Sequence, residues 1–172
     1  MTGVDLTCIP GIDADTVLKL ISEIGLDMTR WPTVKHFTSW LGLCPGSKIT
    51  GGKVKSSKTK PSANRAAAAL RLAANSLHRS DSALGAFLRR KKAHLGAPAA
   101  ITATAHKLAR LVYSMLKNGT EYTDLGQAHY EQQYRQRVVN NLLKRARGLG
   151  YKLIELGPDE LRTTPAAGAV TW

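Results

Sequence analysis

The chain has 172 residues, which is enough for one compact domain, and its apolar fraction of 43% is ordinary for a soluble globular protein. The sequence contains no run of eighteen apolar residues, so no membrane span is predicted, and the N-terminus has no signal-peptide pattern. The two cysteines are too few for a disulfide framework. The net charge of +13 is concentrated in residues 46–117, which carry +14, whereas residues 1–45 carry −2. This asymmetry predicts a polyanionic partner. The two cysteines, interpreted as buried free thiols, predict a cytoplasmic protein.

The first predicted element is similar to a helix-hairpin-helix and covers residues 5–25. A short helix or turn ends at Pro10-Gly11, and a helix capped by Asp13 or Asp15 follows. A glycine hairpin at a helix N-terminus exposes backbone N–H groups that suit a phosphate, which makes Gly11 a candidate DNA contact. Asp13 stands where such hairpins usually have a second glycine, and its carboxylate would repel a phosphate. A DNA-contacting hairpin and a purely structural one both remain open.

A second helix is predicted over residues 33–41, and an unusual segment follows over residues 46–60. This segment is rich in glycine, serine, threonine and lysine and poor in residues that build a core. We interpret it as a basic loop or as a short hairpin centred on Gly51-Gly52.

Four further helices are predicted, over residues 63–79 with Ser62 as the cap, 82–95, 98–117 and 125–147. The last of them carries apolar and aromatic residues at four-residue spacing. Packing within the domain explains this stripe better than a self-association interface does. The stripe consists of Tyr130, Tyr134, Val138, Leu142 and Ala146.

The C-terminal region predicts a short strand over residues 151–156 and a disordered tail over residues 157–172. The predicted organisation is therefore one domain over residues 1–156. Its fold class is mainly α: a helical bundle with the hairpin element at its N-terminus, the basic loop in its middle and the short strand at its end.

The basic segment is the main candidate binding region. Residues 47–79 contain eight cationic side chains and no acidic one. Each cation that meets a phosphate releases counterions, so binding to DNA should depend steeply on salt. Gly11 and the first seven of these cations are the predicted DNA contacts. The eight are Lys48, Lys53, Lys55, Lys58, Lys60, Arg65, Arg71 and Arg79.

Candidate catalytic groups are sparse. No pair of acidic residues lies in the basic segment where a nucleic acid would bind, so no metal site is predicted in this chain. The five histidines are scattered along predicted helices and are better explained as surface or packing residues. A hydroxyl of the basic loop is the remaining candidate nucleophile, because the surrounding lysines would stabilise charge on a phosphodiester.

Several sequence segments occur in an order that resembles the C-terminal domain of the insertion-sequence-110 transposase family, also called the 116/110/902 type, and most closely its 1111 subgroup. The resemblance covers about residues 5–155. Its segments are Ile9-Pro-Gly-Ile12, Phe37-Thr-Ser-Trp-Leu-Gly-Leu-Cys-Pro45, Thr50-Gly-Gly-Lys53, Ser62-Ala-Asn-Arg65 and Ala105-His-Lys-Leu-Ala-Arg-Leu111.

The resemblance implies a specific site and specific partners. Family members combine an RuvC-like domain, whose acidic tetrad binds Mg²⁺, with a C-terminal domain that carries a nucleophilic serine, and a structured RNA guides the choice of DNA. In this chain Thr50 stands at the position of the serine, with Ser47, Ser56 and Ser57 as alternatives. No cofactor is expected in the chain itself.

The sequence therefore favours two functions. The first is the DNA-binding C-terminal portion of a transposase, which would need DNA, a guide RNA and an RuvC-like domain in trans, and which would self-associate in a prokaryotic, nucleoid-associated setting. The alternative is a stand-alone, non-enzymatic DNA- or RNA-binding module. Whether the chain is an enzyme is left open, because it lacks the acidic tetrad and has threonine in place of serine.

Overall fold

The computed structural model describes residues 3–56 and 58–155, with only the backbone of Val54. Within this part the fold is mainly α, as predicted: six α-helices and one two-stranded antiparallel sheet. The elements are α1 (Ala14–Ile24), α2 (Val34–Trp40), β1 (Lys48–Thr50), β2 (Lys53–Ser56), α3 (Arg65–Ser76), α4 (Ala83–Leu95), α5 (Ala97–Asn118) and α6 (Gly126–Gly148).

The chain divides into two compact units, Met1–Glu131 and Gln132–Trp172. The domain end predicted at residue 156 and the disordered tail at 157–172 lie at or beyond the limit of the described residues and stay predictions. No helix in the described part is both long enough and apolar enough to cross a membrane.

The N-terminal element begins with a single 3-10 turn, Leu6–Cys8, in place of a first α-helix. Of the two candidate caps of α1, Asp13 is the one used, because its carboxylate accepts the backbone N–H of Thr16 at 2.8 Å. Gly11 has a φ of +86°, and a Cβ there would lie 2.7 Å from the carbonyl oxygen of Ala73. A glycine is therefore required for the turn to approach α3.

The core of the first unit is built around α5, which packs against α2, α3 and α4. Eight residues of α5 are buried, among them Leu108 and Val112, neither of which has any exposed surface. The facing side of α3 is made of small residues, which lets the two helix backbones approach closely. These buried alanines are Ala66, Ala67, Ala69, Ala73 and Ala74.

An aromatic cluster completes the core beside α2. The ring centroids of Trp31 and Phe37 lie 5.1 Å apart in an edge-to-face arrangement, and Phe37 also contacts Tyr113 of α5. The hydroxyl of Tyr113 donates to the carbonyl oxygen of Trp31 at 2.9 Å. This buried polar group is therefore satisfied, as the cost of burying it requires.

The predicted start of α3 is wrong by two residues. The helix begins at Arg65, and its cap is Asn64, whose side-chain oxygen accepts the backbone N–H of Ala67 at 3.0 Å. Ser62 instead lies against Gly42, where a Cβ would come within 2.6 Å of the serine Cβ. The contact with the end of α2 holds Ser62 outside the helix.

Helix α6 runs one residue later at each end than predicted and buries none of its residues. The interpretation of its apolar stripe as domain core holds only at its start, where Tyr130 is half-buried and its ring packs edge-on against Phe87. Farther along, Val138 is 36% exposed and Leu142 is 50% exposed. The strand predicted at 151–156 is also absent over the described residues 151–155, which form no ladder.

Candidate nucleic-acid interface

The basic segment forms a β-hairpin, which resolves the choice between a loop and a hairpin. Thr50 pairs with Lys53 across a two-residue turn, and Ile49 pairs with Val54. The turn residues Gly51 and Gly52 have φ values of +57° and +74°. Positive φ at both positions is the type I′ geometry that matches the twist of a hairpin, and glycine adopts it without strain.

The two arms of the hairpin are joined to each other at its base, and the chain enters the core just before it. Pro45 and Thr59 form an isolated bridge, and the backbone N–H of Gly46 donates to the carbonyl oxygen of Lys58 at 3.0 Å. Leu43, just before this base, is buried. The protein therefore holds the base in place and leaves the strands in solvent.

The lysines of the hairpin region are all exposed. No aspartate or glutamate occurs anywhere between Asp27 and Asp81, so the surrounding chain offers no local countercharge. The structure shows that all five predicted lysines of this segment are open to solvent. They are Lys48, Lys53, Lys55, Lys58 and Lys60.

The predicted contacts outside the hairpin differ in their surroundings. Arg65 lies in the first turn of α3, is 86% exposed, and forms an ion pair with Glu23 at 3.4 Å. Arg71 is half-buried on the same helix. Gly11 lies near the opposite, C-terminal end of α3. The structure therefore does not bring Gly11 together with Arg65.

The N-terminus of α1 already holds an anion. Hydrogen bonds from Thr16 to the carboxylate of Asp13 lower the pKa of this side chain. A phosphate approaching these N–H groups would have to displace the carboxylate and overcome its charge. This geometry favours the structural interpretation of the N-terminal hairpin, and a DNA contact at Gly11 stays a prediction.

The candidate nucleophile, Thr50, is exposed at the end of β1, directly opposite Lys53. Among the described residues its hydroxyl has no hydrogen-bond partner that could act as a general base. Ser47 is exposed, whereas the hydroxyl of Ser56 accepts the backbone N–H of Lys58 at 3.4 Å. Ser57 lies outside the described residues. A hydroxyl beside a lysine suits phosphate binding. For this hydroxyl to act as a nucleophile, another molecule would have to supply the proton acceptor.

A second cationic cluster was not singled out from the sequence. The ammonium of Lys107 lies 4.7 Å from the ring centroid of Phe87 and 5.5 Å from that of Tyr130. The guanidinium of Arg90 lies 5.3 Å from the ring centroid of Tyr130. The ammonium of Lys91 also lies over the Phe87 ring. The four-residue spacing of Phe87 and Lys91 is the only one of these contacts that the sequence could have indicated.

Between the hairpin base and α5 lies an open groove of about 520 Å³, lined by Lys58 and Thr59 on one side and by Thr102 and His106 on the other. The His106 Nε2 atom is 3.8 Å from the Sγ atom of Cys44. Burial and, to a lesser extent, the nearby Arg110 lower the pKa of His106. Within the described residues no three histidine, cysteine, aspartate or glutamate side chains group together as metal ligands.

Comparison with known proteins supports the resemblance drawn from the motifs. Residues 5–89 match the family described as Transposase IS116/IS110/IS902. Over 119 residues, or 68% of this chain, the sequence is 29% identical to the insertion element IS110 uncharacterized 43.6 kDa protein of Streptomyces coelicolor. That alignment spans 29% of the Streptomyces protein, and no solved structure matches the chain. The resemblance to the IS116/IS110/IS902 transposase family is therefore confirmed over residues 5–89.

Proposed function

We propose that this chain is the DNA-binding portion of an insertion-sequence transposase and that the hairpin of residues 46–60 is its principal contact with DNA. The carrying observation is the set of five exposed lysines on a structurally anchored hairpin, inside a 53-residue span without an acidic residue. A face kept only for solubility would mix both signs of charge. Lysines on a narrow two-stranded element can instead approach successive phosphates of a duplex.

The proposal includes a chemical role for the same hairpin. The hydroxyl oxygen of Thr50 would attack a DNA phosphorus while the bond from that phosphorus to a deoxyribose oxygen breaks, leaving a covalent protein–DNA link. Lys53, its cross-strand partner, would stabilise the charge that develops on the phosphate. Because no base contacts this hydroxyl within the described residues, the proton would pass to water or to a group supplied by the RuvC-like domain in trans. Mg²⁺ and a guide RNA belong to that larger assembly in the proposal.

Paired lysine variants test the DNA contact. K53Q/K55Q removes two charges from the hairpin, and K19Q/K35Q removes two charges from α1 and α2. We expect the hairpin variant to lower the slope of log Kobs against log salt by about 2, because each lost phosphate contact contributes roughly 0.9. The control variant should retain the wild-type slope in the same fluorescence-anisotropy titration. Equal slopes for the two variants would move the interface away from the hairpin.

The covalent step has its own test. The chain is mixed with a separately expressed RuvC-like domain of the same family, Mg²⁺, guide RNA and element-end DNA, and protein–DNA adducts are resolved on denaturing gels. We expect an adduct with the wild type and with Ser47→Ala, and none with Thr50→Ala. If the wild type forms no adduct but retains salt-dependent DNA binding, the non-enzymatic binding module is the correct function.

A further inference from the structure

The second unit carries a surface that neither the family nor the hairpin explains. From residue 132 to residue 154 the sequence has no acidic side chain, and the helical part of this span contains five cations and five side-chain amides. Four of the amides and two of the cations line one shallow groove along α6. The groove residues are Gln133, Gln136, Arg137, Asn140, Asn141 and Lys144.

We infer that this face of α6, the amide face, is a recognition surface that contacts base edges in the major groove of duplex DNA. Residues 137, 140, 141 and 144 recur at the three- and four-residue steps that place side chains on one side of a helix. Arg137, Asn140, Asn141 and Lys144 are all exposed. An α-helix fits the major groove, where asparagine and glutamine pair with adenine and arginine pairs with guanine.

The composition of the face separates base recognition from simple phosphate attraction. Cations near a helix C-terminus are favoured by the helix dipole, which already accounts for Lys144, Arg145 and Arg147. It does not account for Arg137 in the middle of the helix, nor for the amides. Side-chain amides add no charge, and they carry a donor and an acceptor together, the pattern that a base edge presents.

The geometry of the amides fits this role. The side-chain nitrogen of Gln136 donates to the side-chain oxygen of Asn140 at 3.3 Å. This contact uses the asparagine oxygen as an acceptor, and the side-chain NH2 group of Asn140 remains a donor for a base edge. From Arg137 to Lys144 the helix rises by roughly 10 Å, the length of about three base pairs. Double-stranded RNA is a poorer fit, because its major groove is too deep and narrow for side chains to read.

The inference goes beyond the proposed contact of the hairpin with phosphates, because it predicts that the protein itself distinguishes DNA sequences. The test uses the full chain and a pool of random-sequence duplexes carried through rounds of selection. We expect the wild type to enrich a short motif. Affinity for that motif is then compared with affinity for a scrambled duplex, and the ratio of the two measures discrimination.

Three alanine variants make the test specific to the face. Arg137→Ala and Asn140→Ala remove groups from the amide face. The control Arg135→Ala also removes one positive charge, at a position about 160° from Arg137 around the helix axis. Alanine preserves helix propensity, and circular dichroism checks the helical content. We expect Arg137→Ala and Asn140→Ala each to reduce discrimination by about 5- to 100-fold, whereas Arg135→Ala leaves it unchanged.

The choice of DNA as the partner rests on the proposed function, and the outcomes of the test distinguish a failure of this inference from a failure of that function. If the wild type binds duplexes with a steep salt dependence but enriches no motif, the inference fails and the hairpin proposal stands. Equal discrimination by all three variants would also overturn the inference. If the face variants lose affinity for a structured RNA and not for DNA, the face is an RNA contact and the inference is wrong. If the chain binds no DNA at all, the proposed function fails as well.

Discussion

Helices α5 and α6 are nearly equal in length, with 22 and 23 residues, and both carry apolar residues at helical spacing. In the structure α5 buries eight residues and α6 buries none. The difference lies in side-chain size and in what the rest of the chain supplies. Small residues on α5 let α3 and α4 approach it, whereas long polar side chains cover most of α6. A periodic stripe predicts a helix face but does not predict that another element will cover it.

The strongest way to test this contrast is to truncate a leucine on each helix. Leu108→Ala in α5 should lower the free energy of unfolding by about 2–5 kcal/mol, because it leaves a cavity in a fully packed core. Leu142→Ala in α6 should change it by less than about 0.5 kcal/mol, since half of that side chain is already in water. Urea denaturation followed by circular dichroism measures both. A loss of 2 kcal/mol or more at Leu142 would show that a partner covers the stripe in solution.

A smaller effect on the free energy of unfolding is expected from removing the buried hydroxyl of Tyr113 in α5. Tyr113→Phe removes the hydroxyl that donates to the carbonyl oxygen of Trp31 and accepts a hydrogen bond from Lys117. We expect a cost of about 1 kcal/mol, since Lys117 still contacts the same carbonyl. The matched control is Tyr151→Phe, at a residue 72% exposed beyond the end of α6. Equal midpoints of thermal unfolding for the two variants would contradict the role assigned to the buried hydroxyl.

The smallest effect concerns pH. His106 of α5 has a folded-state pKa below its ordinary value, chiefly because it is partly buried. As the pH falls below about 6.5, the unfolded chain takes up a proton that the folded chain resists, so stability decreases on acidification. Above that pH the group is neutral in both states and contributes no slope. The substitution His106→Gln should reduce the change of the urea midpoint between pH 6.5 and pH 5. If the midpoint of this variant changes with pH as much as that of the wild type, other groups cause the effect.

Local signals in the sequence were sufficient for much of the fold. The caps and glycines placed α1, α4 and α5 to within a residue or two, because capping depends on a few neighbouring residues. The dipeptide Gly51-Gly52 located the turn of the hairpin for the same reason. The cap of α3 was missed because a tertiary contact between Gly42 and Ser62 decides it.

The candidate site divides in the same way. The sequence alone pointed to the lysines, the candidate hydroxyls and the family resemblance, since charge density and motif order are properties of the chain. It could not identify the contacts of Lys107 and Arg90 with Phe87 and Tyr130, because these residues meet only when α4, α5 and the start of α6 pack together.

The sequence by itself determined where this protein is helical, where it turns and where its positive charge lies, because propensity, capping and charge act over a few residues. Only the tertiary structure decided which faces are covered. It buried one face of α5, left Val138 and Leu142 of α6 exposed, and held Gly11 against α3. Burial depends on which surfaces fit each other, and that fit is set by residues far apart in the chain.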